Sequence, residues 1–339
     1  MPWQRVRGHD RVIEGFARVA KNRRLAHAYL FVGLPGIGKR LFARELARTL
    51  LCEERSPDSF AACDQCVSCT LIDAGTHPDF FTVARPEDKN EMPIENMLEL
   101  CTSFALKSAR GKGKVAVLDD ADDLNDESAN CFLKTLEEPP PRSMFILVGT
   151  TAERQLATVV SRCQIIRFAP LADNVVSDLL KQNGVDDPAH IARLVRLSGG
   201  SPGQALALAD PDLWKFRGTL LGGLARSSPD TGALGRAFTE FVEEAGKESS
   251  SQRRRAALVL RLLIEFVDDA LAVSVGKAPK VADDASLLQN FTKRFNPDRL
   301  MVLLERCLEA EFHIDRYVPL PLTLEGLVDA LGPELVNSP

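Results

Sequence analysis

Val32-Gly33-Leu34-Pro35-Gly36-Ile37-Gly38-Lys39-Arg40 is the stretch that decides the fold. The apolar run Tyr29-Leu30-Phe31-Val32 leads into it, and the helical pattern Leu41-Phe42-Ala43-Arg44-Glu45-Leu46-Ala47 follows. Strand, glycine-rich turn and helix in that order form a phosphate cradle. Backbone N–H groups converge on the phosphates, a lysine reaches them, and the helix N-terminus adds its positive dipole end. The spacing Gly33-x4-Gly38-Lys39 fits, which makes Gly33, Gly36, Gly38 and Lys39 candidate nucleotide contacts. The next position does not fit. It ordinarily carries a Ser or Thr hydroxyl that binds Mg²⁺, and here it is Arg40. A guanidinium is only a donor and is positively charged, so it cannot ligate a cation. The loop has the form of an ATPase loop with a damaged metal site.

Outward from the loop, short apolar strands alternate with helices. A helix is expected at 11–21, and strands at 80–83, 115–118, 144–148 and 164–168. Amphipathic helices are expected at 94–107 and 127–137, the second stopped by Pro139-Pro140-Pro141. This alternation predicts an α/β domain with a parallel sheet covered on both faces, closing near Pro170. A small helical segment, 171–209, comes next, and in 210–339 helical patterns recur at 213–224, 234–245, 253–275 and 297–312, with no convincing strand. Asn296-Pro297 supplies a cap and a first-turn proline for one of those helices.

Composition limits the function classes. The 339 residues are 45% apolar and 26% charged, with a net charge of −5, enough material for two or three ordinary cores. A slightly acidic chain is a poor candidate for gripping DNA alone, because that affinity comes from Lys and Arg on phosphates. No run approaches the ~18 apolar residues of a membrane span. Met1-Pro2-Trp3-Gln4-Arg5 lacks a signal peptide's apolar core, so the expected place is cytoplasmic. Cysteines there are thiols or metal ligands.

Four of the eight cysteines fall in Cys52-x10-Cys63-x2-Cys66-x2-Cys69. Tetrahedral Zn²⁺ accepts four thiolates, and two-residue spacers present neighbouring ligands from one turn, so the pattern predicts a closed, structural zinc site. The alternative is four unrelated thiols in a loop. Cys101, Cys131, Cys163 and Cys307 lie in apolar patterns and read as packing residues. Val115-Ala116-Val117-Leu118-Asp119-Asp120 has the form of a strand delivering a metal-shell carboxylate, Asp119, although aspartates at a strand end also cap helices. Asp120 stands where such ATPases usually have a water-polarising Glu and is one methylene shorter. Arg85, Arg110, Lys112, Lys114 and Arg253-Arg254-Arg255 read as solvated faces rather than DNA contacts.

Taken together, several stretches resemble the AAA+ subunits of the bacterial DNA polymerase III clamp loader. They are Gly33–Arg40, the cysteine cluster, Ala74-Gly75-Thr76-His77-Pro78-Asp79-Phe80, Asn130-Cys131-Phe132-Leu133-Lys134-Thr135-Leu136-Glu137-Glu138-Pro139-Pro140 and Ser161-Arg162-Cys163. The similarity is collinear over 1–210, and the helical remainder suits the family's collar domain. The resemblance implies an AAA+ domain at 1–170, a lid at 171–209 and an oligomerising collar at 210–339. Two subunit types share these features, the gamma/tau motor ATPase and the delta prime type. Arg40, Gly203 at the motor's sensor-2 arginine, and Gly75-Thr76-His77-Pro78-Asp79 favour the delta prime type, as does the lack of tau's long extension. Thr150 or Thr151 falls at the sensor-1 position.

The implied role is a subunit of the DNA-directed DNA polymerase III holoenzyme, a nucleotidyltransferase assembly. In a hetero-pentamer with gamma/tau and delta subunits, it would help place the sliding clamp on primed DNA. Arg162 would be an arginine finger acting in trans on a neighbour's ATP. The resemblance leaves ATP or ADP doubtful in the chain's own loop, and ATP turnover unexpected. A motor-type ATPase with an unusual loop is the alternative.

Overall fold

All five side chains of Ala28-Tyr29-Leu30-Phe31-Val32 are buried, so this strand must be covered on both faces. In the computed structural model, which describes residues 3–55, 59–86, 88–226, 228–281 and 284–336, it lies inside a five-stranded parallel sheet. In chain order the elements are α1 (Asp10–Lys21), β1 (Ala28–Val32), α2 (Lys39–Leu51), α3 (Val67–Asp73), β2 (Phe80–Val83), α4 (Ile94–Ala105) and β3 (Lys114–Leu118). Next come α5 (Asp126–Glu137), β4 (Ser143–Val148), α6 (Ala157–Val160), β5 (Gln164–Arg167), α7 (Asp173–Gln182), α8 (Pro188–Ser198) and α9 (Pro202–Leu208). The strand order is β2-β3-β4-β1-β5, with Leu30 level with Leu147 on β4 and Ile165 on β5.

Alternation along β1 separates two cores. Ala28, Leu30 and Val32 join Phe145, Leu147, Ala116 and Leu118 against Phe104 of α4 and Phe132 and Leu136 of α5. Tyr29 and Phe31 point the other way into an aromatic cluster. Phe31 stands 5.7 Å from Phe42 of α2 and 5.1 Å from Phe168, and Phe16 of α1 stands 4.9 Å from Tyr29. The expected strands appear where the apolar runs placed them, and the expected parallel α/β sheet is what forms. Cys101, Cys131 and Cys163 pack against the first core. Cys307 is buried.

The chain divides into two compact units, residues 1–206 and 207–339. The second contains, among the described residues, α10 (Pro211–Leu224), α11 (Thr231–Glu243), α12 (Ser249–Ser274), α13 (Ala285–Arg294), α14 (Pro297–Asp315) and α15 (Leu320–Val336). Asn296 caps α14 by accepting the Arg299 N–H at 3.0 Å, with Pro297 in the first turn. Buried Arg217 forks onto Asp284 at 3.0 and 2.7 Å. Arg253, expected on a solvated face, instead donates to the carbonyls of Ile314, Tyr317 and Val318 at the end of α14. It satisfies orphan acceptors at a helix terminus.

Candidate functional site

The glycine-rich turn leaves β1 at its C-terminal end, where β3, β4 and β5 also end. Gly33 donates to Thr150 O at 2.9 Å, and Phe168 donates to Val32 O at 2.8 Å. Gly33 has φ +149°, and a Cβ there would lie 2.6 Å from Phe168 O, so only glycine fits. Gly38, at φ +103°, precedes the first turn of α2, and Lys39 opens that helix.

Lys39 is buried, and its ammonium donates to the loop's own carbonyls, Gly33 O at 2.6 Å and Leu34 O at 2.8 Å. Burial lowers its pKa, opposed by the charges of Asp122 and Asp119. Arg40 lies 3.2 Å from Asp119. A guanidinium therefore neutralises the carboxylate that the strand pattern offered to Mg²⁺. Asp120 is held at φ +53°. Burial raises its pKa, helped by Asp119 and Asp123.

Residues distant in sequence close the loop. Fully buried Ser201 donates to Pro35 O at 2.7 Å, and the Gly203 N–H donates to Gly36 O at 3.0 Å. The two backbones touch, since a Cβ on Gly203 would sit 2.8 Å from Gly36 Cα. An arginine at 203 could not make this approach without moving the loop. His9 donates through Nε2 to Ile37 O at 2.9 Å, and burial lowers its pKa. Sequence reading did not find Ser201 or His9, nor Asp122. The Asp122 carboxylate accepts from Thr150 N at 2.8 Å and Gln155 Nε2 at 2.6 Å. Thr150 is thus held through its backbone.

Cys52, Cys63, Cys66 and Cys69 converge, with their sulfurs all within 4.8 Å of one another. Cys52 Sγ and Cys66 Sγ are 3.9 Å apart, close to the roughly 3.8 Å edge of a tetrahedron with Zn–S near 2.3 Å. Backbone N–H groups of Cys63, Cys66 and Cys69 point at the sulfurs of Cys52, Cys63 and Cys66 at 3.4, 3.3 and 3.5 Å. Burial acts to raise the Cys66 pKa, but N–H donors from Cys69 and Glu53 outweigh it and bring it to about 7. The donor set and its geometry fit one tetrahedral thiophilic cation.

Arg162 follows α6 and is one-third exposed, 32% for its side chain. It donates to Thr158 O at 2.8 Å and to Ser161 Oγ at 3.2 Å, and it pairs with Glu137. It is remote in the sequence from the chain's own phosphate loop and does not hydrogen-bond to it. Two cations expected on solvated faces are engaged inside this unit. Arg85 pairs with Asp123 at 2.8 Å, and buried Lys114 donates to Leu106 O at 2.7 Å.

Residues 8–172 match the family described as "DNA polymerase III, delta subunit". DNA polymerase III subunit delta prime of Escherichia coli (strain K12) is 40% identical over 280 residues, 82% of this chain and 80% of that protein. The subunit of that name from Pseudomonas aeruginosa is 38% identical over 180 residues, 52% of this chain and 54% of its own length. DNA polymerase III subunit tau of Escherichia coli (strain K12) is 30% identical over 210 residues, 60% of this chain but 32% of that protein.

Proposed function

The chain belongs to the family of DNA polymerase III delta prime subunits, and we propose that it serves the clamp loader by supplying chemistry to a neighbour while performing none of its own. The observation that carries this is the state of its phosphate loop. Lys39 is tied to Gly33 and Leu34 carbonyls, Arg40 faces Asp119, and Gly203 packs on Gly36. With neither a hydroxyl for Mg²⁺ nor a sensor arginine, the loop lacks the groups that hold and activate a nucleotide for hydrolysis.

In this reading residues 1–170 are the AAA+ domain, 171–209 the lid and 210–339 the collar that joins the pentamer. Gamma/tau and delta subunits are the partners, and the assembly loads the sliding clamp onto primed DNA for the polymerase III holoenzyme. Zinc held by Cys52, Cys63, Cys66 and Cys69 would be structural, since four protein ligands leave no open position for catalysis. No helix among the described residues is long and apolar enough to cross a membrane, which accords with a cytoplasmic place of work.

Arg162 is the residue offered to the neighbour. Its guanidinium is permanently charged, and its fork of donors suits phosphate oxygens. The test of the division of labour is ATP turnover by the purified chain. We expect none above background in Mg²⁺. Turnover that disappears with Lys39→Ala would overturn the proposal in favour of a motor-type ATPase.

A further inference from the structure

The last residue of α5 is Glu137, and its position is fixed from both directions. Upstream, Asn125 caps the helix by accepting the Ser128 N–H at 2.9 Å, Ser128 Oγ donates to Met92 O at 2.6 Å, and Phe132 and Leu136 are fully buried. Downstream, Pro139 excludes its predecessor from helical backbone, and Glu138 leaves the helix at φ −122°, ψ 69°. Glu137 therefore stands at a rigid, electronegative helix end. Arg162 meets it there and binds Thr158 O, a carbonyl in the last turn of α6. The Thr158 carbonyl and the Glu137 carboxylate thus hold a single guanidinium.

These ties hold Arg162 Nη1 through Thr158 and Ser161, and Nη2 through Glu137. An arginine has five N–H donors. Nε and one hydrogen of Nη2 make none of these contacts. Arginine otherwise loses much rotamer freedom whenever it engages a ligand. We infer that Glu137 is a positioning residue for Arg162, presetting the guanidinium so that its remaining N–H donors meet a neighbour's phosphoryl oxygens. This rests on the reading of Arg162 as a finger in trans. Glu137 itself touches no nucleotide in this scheme and supplies no proton.

The experiment is a double-mutant cycle in the reconstituted assembly, with its other ATPase sites silenced. Wild type, Glu137→Ala, Arg162→Ala and the double variant are compared for kcat and KM with ATP and primed DNA, after gel filtration has shown each assembly intact. Glu137→Ala should lower kcat about three- to tenfold, the range set by part of an arginine's side-chain freedom. KM for ATP should not move. Glu137→Gln, which keeps the acceptor oxygen, should recover most of the loss. In the Arg162→Ala background Glu137→Ala should have no further effect. A silent or faster Glu137→Ala beside a costly Arg162→Ala removes the inference and leaves the finger standing, as does an additive double variant. A silent Arg162→Ala removes the finger reading, and this inference with it.

Discussion

Replacing Cys66 with Ser takes one of four sulfurs from the cluster, and the size of the loss can be worked from what the ligand loop holds. Residues 59–66 are neither helix nor strand, yet they deliver two of the four thiols. Ordering eight such residues costs roughly 1–2 kcal/mol each, about 8–16 in all. A structural zinc contributes about 10–16 kcal/mol in small peptides, so the metal roughly offsets the ordering and its loss releases the segment. What the rest of the unit then loses is the segment's grip on it. Trp3 Nε1 donates to Phe60 O at 2.7 Å, and buried Arg48 donates to Asp64 at 2.6 Å. One neutral and one charge-assisted bond, the second discounted for the exposure of Asp64, total about 2–4 kcal/mol. At about 2–4 °C per kcal/mol for a unit of this size, the transition should fall by roughly 5–15 °C. Calorimetry of the whole chain, paired with elemental analysis, measures both quantities. Wild type should carry one Zn²⁺ per chain and Cys66→Ser less than one-tenth of that. Pure wild-type protein without metal, or a metal-depleted variant that melts at the wild-type temperature, would refute the reasoning.

Ser201→Ala removes a buried hydroxyl's bond to the carbonyl of exposed Pro35, which water can then reach, so denaturant unfolding should show a loss of about 0.5–1.5 kcal/mol. Faster hydrogen exchange at the Gly203 amide should accompany it, and unchanged stability and exchange would show that Ser201 does not hold the 200–203 turn on the phosphate loop. Acid should also weaken the fold through His9. Burial keeps its folded pKa below the ordinary 6.5, so its contribution is complete above that value and is lost as pH falls from 6.5 toward the folded pKa. The limiting slope is about 1.4 kcal/mol per pH unit, and His9→Gln should flatten that part of the stability profile. Equal slopes for wild type and variant between pH 7 and 5 would exclude His9 as a source.

The sheet was legible because β1, β3 and β4 are short, almost wholly apolar and buried runs, and β2 and β5 each carry an adjacent apolar pair, a pattern that propensity and burial read alike. The cysteine spacing was legible for the same local reason: metal geometry acts over a few residues. What closes the phosphate loop was not. Ser201 and Pro35 are 166 residues apart, and neither residue type signals the other. Cationic side chains misled in a different way. Arg85, Lys114 and Arg253 look solvent-directed by type, but each extends an apolar stem along the protein and spends its head on carboxylates or carbonyls. In the second unit, α15 escaped because Pro321, Gly326, Gly332 and Pro333 interrupt its pattern, while packing overrides the propensity cost. Asp187-Pro188 and Asp210-Pro211 carry the same cap-and-proline signal as Asn296-Pro297, and they begin α8 and α10.

The central claim is that this chain lends Arg162 to a neighbour's ATP. It is tested most directly by the rate at which an assembly containing Arg162→Ala loads clamps onto primed DNA, compared with wild type. A finger supplied in trans contributes about 10³–10⁵ in rate at the site it serves. The account predicts a variant chain that folds, enters the complex on gel filtration and loads clamps markedly more slowly. Arg162→Lys should rescue poorly, because one ammonium cannot reproduce the fork. An intact complex that loads clamps at the wild-type rate would contradict the account.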